Sequence, residues 1–156
     1  MTPTLMMAAS GETCDRDRFL SYIKRNLEWY YFKNGHELTI DAAASYTRDE
    51  LAYALRRGPY MVNLLIAGFD QASGEARMYW MDYLGTLQQT AKGAHGYAAY
   101  FVSSTLDNHF KLGMTFEEGK EAIRQCIREL QKRFLISQKN FTVKAVTKDG
   151  VTEITL

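Results

Sequence analysis

The sequence predicts an α+β protein whose helices segregate onto the two outer faces of stacked antiparallel sheets, a four-layer αββα sandwich. Three observations carry that prediction. Met61 to Phe69 is almost continuously apolar, with Asn63 its one strongly polar side chain, and reads as a central strand covered on both sides. Beyond the Ser73-Gly74 turn, the aromatic-rich run Met78 to Tyr83 reads as its hairpin partner. The other periodic stretches are helical and come in pairs before and after this hairpin. The expected order is strand, two helices, hairpin, two helices, hairpin.

Leu5 to Ala9 reads as a short strand running into the turn Ser10-Gly11-Glu12. A helix follows from Asp15 to about Lys33, stopped by Asn34-Gly35. Phe19, Leu20, Ile23, Leu27, Tyr30 and Tyr31 share one of its faces, whereas Trp29 and Phe32 fall away from it. Thr39 or Asp41 opens a second helix to about Arg57, ended by Gly58-Pro59, with Ile40, Ala44, Thr47, Leu51, Ala54 and Leu55 inward. Tyr46 and Tyr53 sit on its opposite side and are expected to form a second outward aromatic patch. Trp29, Phe32, Tyr46 and Tyr53 are therefore candidate subunit-contact residues, and singly exposed aromatics on a monomer are the open alternative.

Past the central hairpin, Leu87 to Lys92 is polar and loop-like, and the small residues of Ala94 to Ala99 lead into a third helix through Leu106 and Asp107. Thr115-Phe116-Glu117-Glu118 has capping-box spacing and opens a fourth helix, whose stripe Phe116, Ile123, Ile127, Leu130 and Phe134 is expected to be core. Phe141 to Val146 and Val151 to Leu156 form a terminal hairpin about Lys148-Asp149-Gly150.

With 156 residues and 46% hydrophobic content, the chain has the size and apolar content of one domain, residues 1–156. Nineteen Lys and Arg nearly balance eighteen Asp and Glu, so neither nucleic acid nor an acidic membrane is expected as the main partner. Ten tyrosines favour protein contacts instead. Cys14 and Cys126 are too few for a disulfide framework and read as reduced, buried thiols of a cytosolic or nuclear protein. Met1 to Met7 lacks the basic segment and length of a secretory leader, and no run approaches a membrane span.

Little chemistry assembles along the chain. His36, His95 and His109 lack a second ligand at metal spacing, so no metal or cofactor is expected. Gly93-Ala94-His95-Gly96 lacks the lysine and fingerprint of a phosphate loop, and Ser103-Ser104-Thr105 has no nearby base. No catalytic residue is assigned.

Asn63-Leu64-Leu65-Ile66-Ala67-Gly68-Phe69-Asp70, then Tyr79-Trp80-Met81-Asp82-Tyr83-Leu84-Gly85, then His95-Gly96-Tyr97-Ala98-Ala99 and Leu106-Asp107, together resemble the proteasome beta subunits, and among them the non-catalytic beta type-2 group at the fourth position of the eukaryotic ring. The resemblance runs from Leu5 to Thr155. It implies the N-terminal-nucleophile hydrolase sandwich, in which active members attack peptides with a free N-terminal threonine whose amine acts as local base. It also implies that the first hairpin, which would hold the nucleophile, aspartate and lysine, is not in this chain. Where active members carry a supporting serine this chain has Tyr97, and where they carry an aspartate and a second serine it has Phe134 and Ser137. Thr2, exposed if Met1 is removed, stands too close to Gly11 to be that nucleophile and is followed by Pro3.

The implied function is a non-catalytic, structural subunit of the 20S core particle, in ubiquitin-dependent protein degradation in cytoplasm and nucleus. Its implied partners are beta subunits of the same and opposite rings and subunits of the alpha ring. Two other readings stay open: an active threonine peptidase subunit, and an unrelated α+β binding module.

Overall fold

The computed structural model describes residues 4–136 and 138–156. Met1, Thr2, Pro3 and Ser137, which figured in the reading above, lie outside the described residues. The chain divides into two compact units, one running to Ala91 and taking in Val146–Thr152, the other comprising Lys92–Ala145 and Glu153–Leu156.

In the first unit, β1 (Leu5–Gly11) is followed by α1 (Thr13–Asn34) and α2 (Ile40–Ala54), then by β2 (Val62–Asp70), β3 (Glu75–Met81) and β4 (Leu87–Gln89). The strands form one antiparallel sheet in the order β1-β2-β3-β4. Local chemistry sets the helix ends. Glu12 caps α1 by accepting from the Asp15 N–H at 2.8 Å, and Gly35 ends it in the left-handed region with φ 73°. The Thr39 hydroxyl caps α2 by accepting from the Ala42 N–H.

The core lies between these helices and one face of the sheet, where Phe19, Ile23, Leu27, Ile40 and Leu51 meet Leu5, Val62, Leu64, Ile66 and Met81. Gly68 is what lets α2 sit this close. A Cβ there would fall 2.2 Å from Ile40 Cδ1 and 2.9 Å from the Thr4 carbonyl oxygen.

Several expectations change in this unit. The central strand is not covered equally: Val62, Leu64, Ile66 and Gly68 are buried, while Leu65, Ala67 and Phe69 on the other face are half-buried. A continuous apolar run hides such an alternation, because both faces are apolar in composition. Leu87–Gln89 is a strand, paired to β3 through Met81 and Leu87, where polarity suggested a loop. Tyr31, expected inside, is 46% exposed and packs edge-on against Phe32 near the helix end. Cys14, expected to be buried, is an exposed free thiol in the first turn of α1.

The second unit contains α3 (Ala98–His109) and α4 (Phe116–Arg133). The strands β5 (Val143–Thr147) and β6 (Gly150–Ile154) form a two-stranded sheet. The capping box at Thr115 is present, with Glu118 Oε2 accepting from the Thr115 N–H at 2.7 Å. The buried stripe of α4 is shifted from the expected one. Ala122 and Cys126 are buried, whereas Phe116 and Ile123 are exposed and Ile127, Leu130 and Phe134 are half-buried. Small residues permit close approach to the neighbouring helix, and the larger ones flank that contact.

Candidate functional site

The residues singled out by sequence fall into two places. The first is the start of α3. Gly96 has φ 70° and turns the chain into the helix, so that Tyr97 stands at its N-terminal cap, 75% exposed. The Tyr97 ring stacks on Phe134 at 6.4 Å with an interplanar angle of 29°, and Phe101 meets the same Phe134 ring at 5.5 Å. Phe101 was missed in the sequence, although its spacing of one helical turn from Tyr97 was a signal for it.

Beside this stack is a cleft of about 450 Å³ lined by His95, Tyr97, Leu130, Phe134, Ile136 and Phe141. Its lining is mostly aromatic and aliphatic. A benzyl ring at Phe134 has no hydrogen-bonding atom and cannot take or orient a proton as a carboxylate does. The hydroxyl of Ser103 is spent on the Ala99 carbonyl at 2.5 Å, and His109 Nδ1 bonds the Thr105 carbonyl at 2.9 Å, so both serve their own helix. Cys126, on the buried face of α4, has its thiol pKa pushed up by burial, which favours the unreactive protonated form. Among the described residues no group of three or more His, Cys, Asp or Glu is placed to hold a metal.

The second place is the outer side of α1 and α2. Trp29, Phe32 and Tyr53 are exposed there, at 60%, 83% and 61%. Tyr46 does not join them, which corrects the expected outward patch. It is half-buried against the core, and burial, reinforced by hydrogen bonding with Tyr22 and by the nearby Glu50 carboxylate, pushes its phenol pKa up. Tyr22 in turn donates to Glu50 Oε2 at 2.8 Å, tying α1 to α2. A wheel places Tyr46 opposite the α2 core but cannot see that α1 lies on that side.

A further polar cluster joins α2 to the sheet and was not found by sequence. Asp41 in the first turn of α2 accepts from the Tyr79 hydroxyl at 2.6 Å and pairs with Arg77, which also reaches Glu75. Burial, followed by the Asp41 bond, raises the Tyr79 pKa and keeps the phenol protonated as a donor.

Comparison with known proteins places this geometry. The family model described as "Proteasome subunit" matches residues 1–146. The chain belongs to the proteasome beta-subunit family. It is 47% identical over 148 residues to proteasome subunit beta type-2-A of Arabidopsis thaliana, covering 95% of this chain and 72% of that one. It is 42% identical over 148 residues to proteasome subunit beta type-2 of Oryza sativa subsp. japonica, covering 95% of this chain and 69% of the relative. The identity to proteasome subunit beta type-4 of Saccharomyces cerevisiae is 39% over 155 residues, covering 99% and 78%.

As a proteasome beta subunit the chain is a component of the core particle and takes part in protein degradation together with other proteasome subunits. The family is one of threonine peptidases, which makes the aromatic stack at Tyr97 and Phe134 the informative feature of this member. No helix among the described residues is long and apolar enough to cross a membrane.

Proposed function

We propose that this proteasome beta subunit is non-catalytic, a structural member at the fourth position of the beta ring that helps enclose the proteolytic chamber. The observation that carries the reading is the Tyr97–Phe134 stack. By the resemblance, these two positions hold a serine and an aspartate in active members, and two stacked rings supply neither a hydrogen-bonded hydroxyl for the nucleophile nor a carboxylate to orient it. In this reading the chain is one beta-type domain with the N-terminal-nucleophile hydrolase sandwich, working in cytoplasm and nucleus.

The test uses assembled core particles treated with a threonine-directed electrophile. Covalent label is expected on catalytic beta subunits and absent from this chain by mass spectrometry. An adduct on this chain would replace the structural reading with the peptidase one.

The same reading makes the outer side of α1 and α2 the face toward the alpha ring, with Trp29, Phe32 and Tyr53 as its anchors and Tyr46 half-buried against the core. Support comes from the exposure of three large aromatics on one helix pair, since aromatics concentrate in the energetic centre of interfaces. Trp29→Ala combined with Tyr53→Ala is expected to lower incorporation into particles while the circular dichroism of the chain is unchanged. Unaltered incorporation would remove these residues from the interface.

A further inference from the structure

We propose that the outer face of α1 and α2 docks onto an acidic protein surface, its exposed arginines meeting carboxylates of the partner around the aromatic anchors. The inference rests on the reading that this face is a subunit contact, and adds the chemistry of what it contacts.

Arg18, Arg25, Trp29 and Phe32 recur at i, i+7, i+11 and i+14 along α1, opposite the buried Phe19, Ile23 and Leu27, and all four are exposed. The last turns of α2 and the residues just beyond add Tyr53, Arg56 and Arg57, also exposed. Two of the cations lie against rings: Lys33 Nζ is 4.9 Å from the Trp29 centroid, and the Arg57 guanidinium carbon is 4.1 Å from that of Tyr53.

The charges on this face are unequally satisfied. Among the described residues Arg18, Arg25, Lys33, Arg56 and Arg57 have no carboxylate at ion-pair distance. The carboxylates of the same helices are largely engaged. Asp15 accepts from the Met61 N–H, Glu28 pairs with Lys24, Asp41 holds Arg77 and Tyr79, Asp49 pairs with Arg48, and Glu50 takes the Tyr22 hydroxyl. Asp17 is the exception, and its place on the wheel is off the arginine stripe. The surface therefore offers guanidinium donors and ring faces with few acceptors of its own.

Such a surface is complementary to carboxylates set among apolar groups. A guanidinium binds a carboxylate through two parallel hydrogen bonds and stacks on aromatic planes at the same time, which suits it to an interface that excludes water. Exposed on the free chain these groups contribute little, but partly desolvated against a partner they fix register and discriminate between surfaces. A net charge of +1 over the whole chain, together with the interleaved Trp and Tyr, favours a protein face over a polyanion.

The test co-expresses the tagged full chain with the other core-particle subunits and measures the share sedimenting in full-size particles. Arg18→Glu with Arg57→Glu is expected to lower that share about tenfold, and Arg18→Lys with Arg57→Lys to retain most of it. In wild-type particles, a carbodiimide should join Lys33 to an Asp or Glu of another subunit, a readout that no folding defect can mimic. Wild-type incorporation with neither a charge-reversal effect nor a Lys33 cross-link overturns the acidic partner and leaves the ring reading standing. A wild-type chain that never enters particles overturns both. Nuclease treatment that releases the wild-type chain would overturn the inference in favour of nucleic acid.

Discussion

In the first unit Phe19, Ile23, Leu51, Leu64, Ile66 and Met81 are all withdrawn from water, whereas the buried side chains of the α3–α4 unit are Val102, Thr105, Ala122 and Cys126. Several large apolar residues of the second unit are exposed, and others such as Ile127, Leu130 and Phe134 are only half-buried. Tyr100 is 85% exposed, Leu112 93% and Leu135 97%, and Tyr97 and Ile136 are mostly exposed as well. The contrast separates two ways of being stable. Both units expose large apolar side chains, but only the first encloses a core of large ones, whereas the second fully covers little beyond small residues.

The largest effect that could break this contrast is on core truncation. Ile66→Ala removes a fully buried side chain between the helices and the sheet and is expected to cost roughly 2–5 kcal/mol. Tyr100→Ala, a larger deletion, should change the stability of the full chain by no more than about 0.5 kcal/mol because little of its ring is covered. Denaturant midpoints of the two variants measure both. Equal losses would mean that the exposed aromatics of α3 contribute to the fold, and the contrast would fail.

The same contrast marks what could be read from the sequence. Helix ends were legible because each is decided within one turn: Gly35 stops α1, and the Thr115 and Glu118 pair starts α4. The Phe19, Ile23 and Leu27 stripe was legible because a single wide surface receives it. Tyr46 and Ile123 were not, since a wheel gives direction but not what stands there. One turned out to face a neighbouring helix, and the other to flank a contact made by alanine and cysteine. At the candidate site, Tyr97 and Phe134 were identified from family resemblance, and only the structure places their rings together. The Asp41, Arg77 and Tyr79 cluster escaped because its members are distant in sequence and each alone reads as an ordinary surface residue.

The smallest effect sharpens the comparison at the start of α4, where a helix with a thin core depends more on its cap. Glu118 Oε2 accepts from both the N–H and the hydroxyl of Thr115, at 2.7 and 2.8 Å, and those bonds hold its pKa below the ordinary 4.5. A carboxylate with a depressed folded-state pKa stabilises the fold above its unfolded value, and that contribution is lost as the pH falls from 4.5 through the lowered value. Acidification over this window should therefore lower the protection factors of the amides in the first turn of α4, measured relative to the intrinsic exchange rate at each pH. Thr115→Ala should do the same at neutral pH by removing the cap, at a cost of about 1 kcal/mol. Glu118→Gln keeps a reciprocal acceptor for the Thr115 N–H but does not titrate, so it should abolish the acid step while the cap survives. If the step persists in Glu118→Gln, another group governs the acid response and α4 does not depend on this carboxylate.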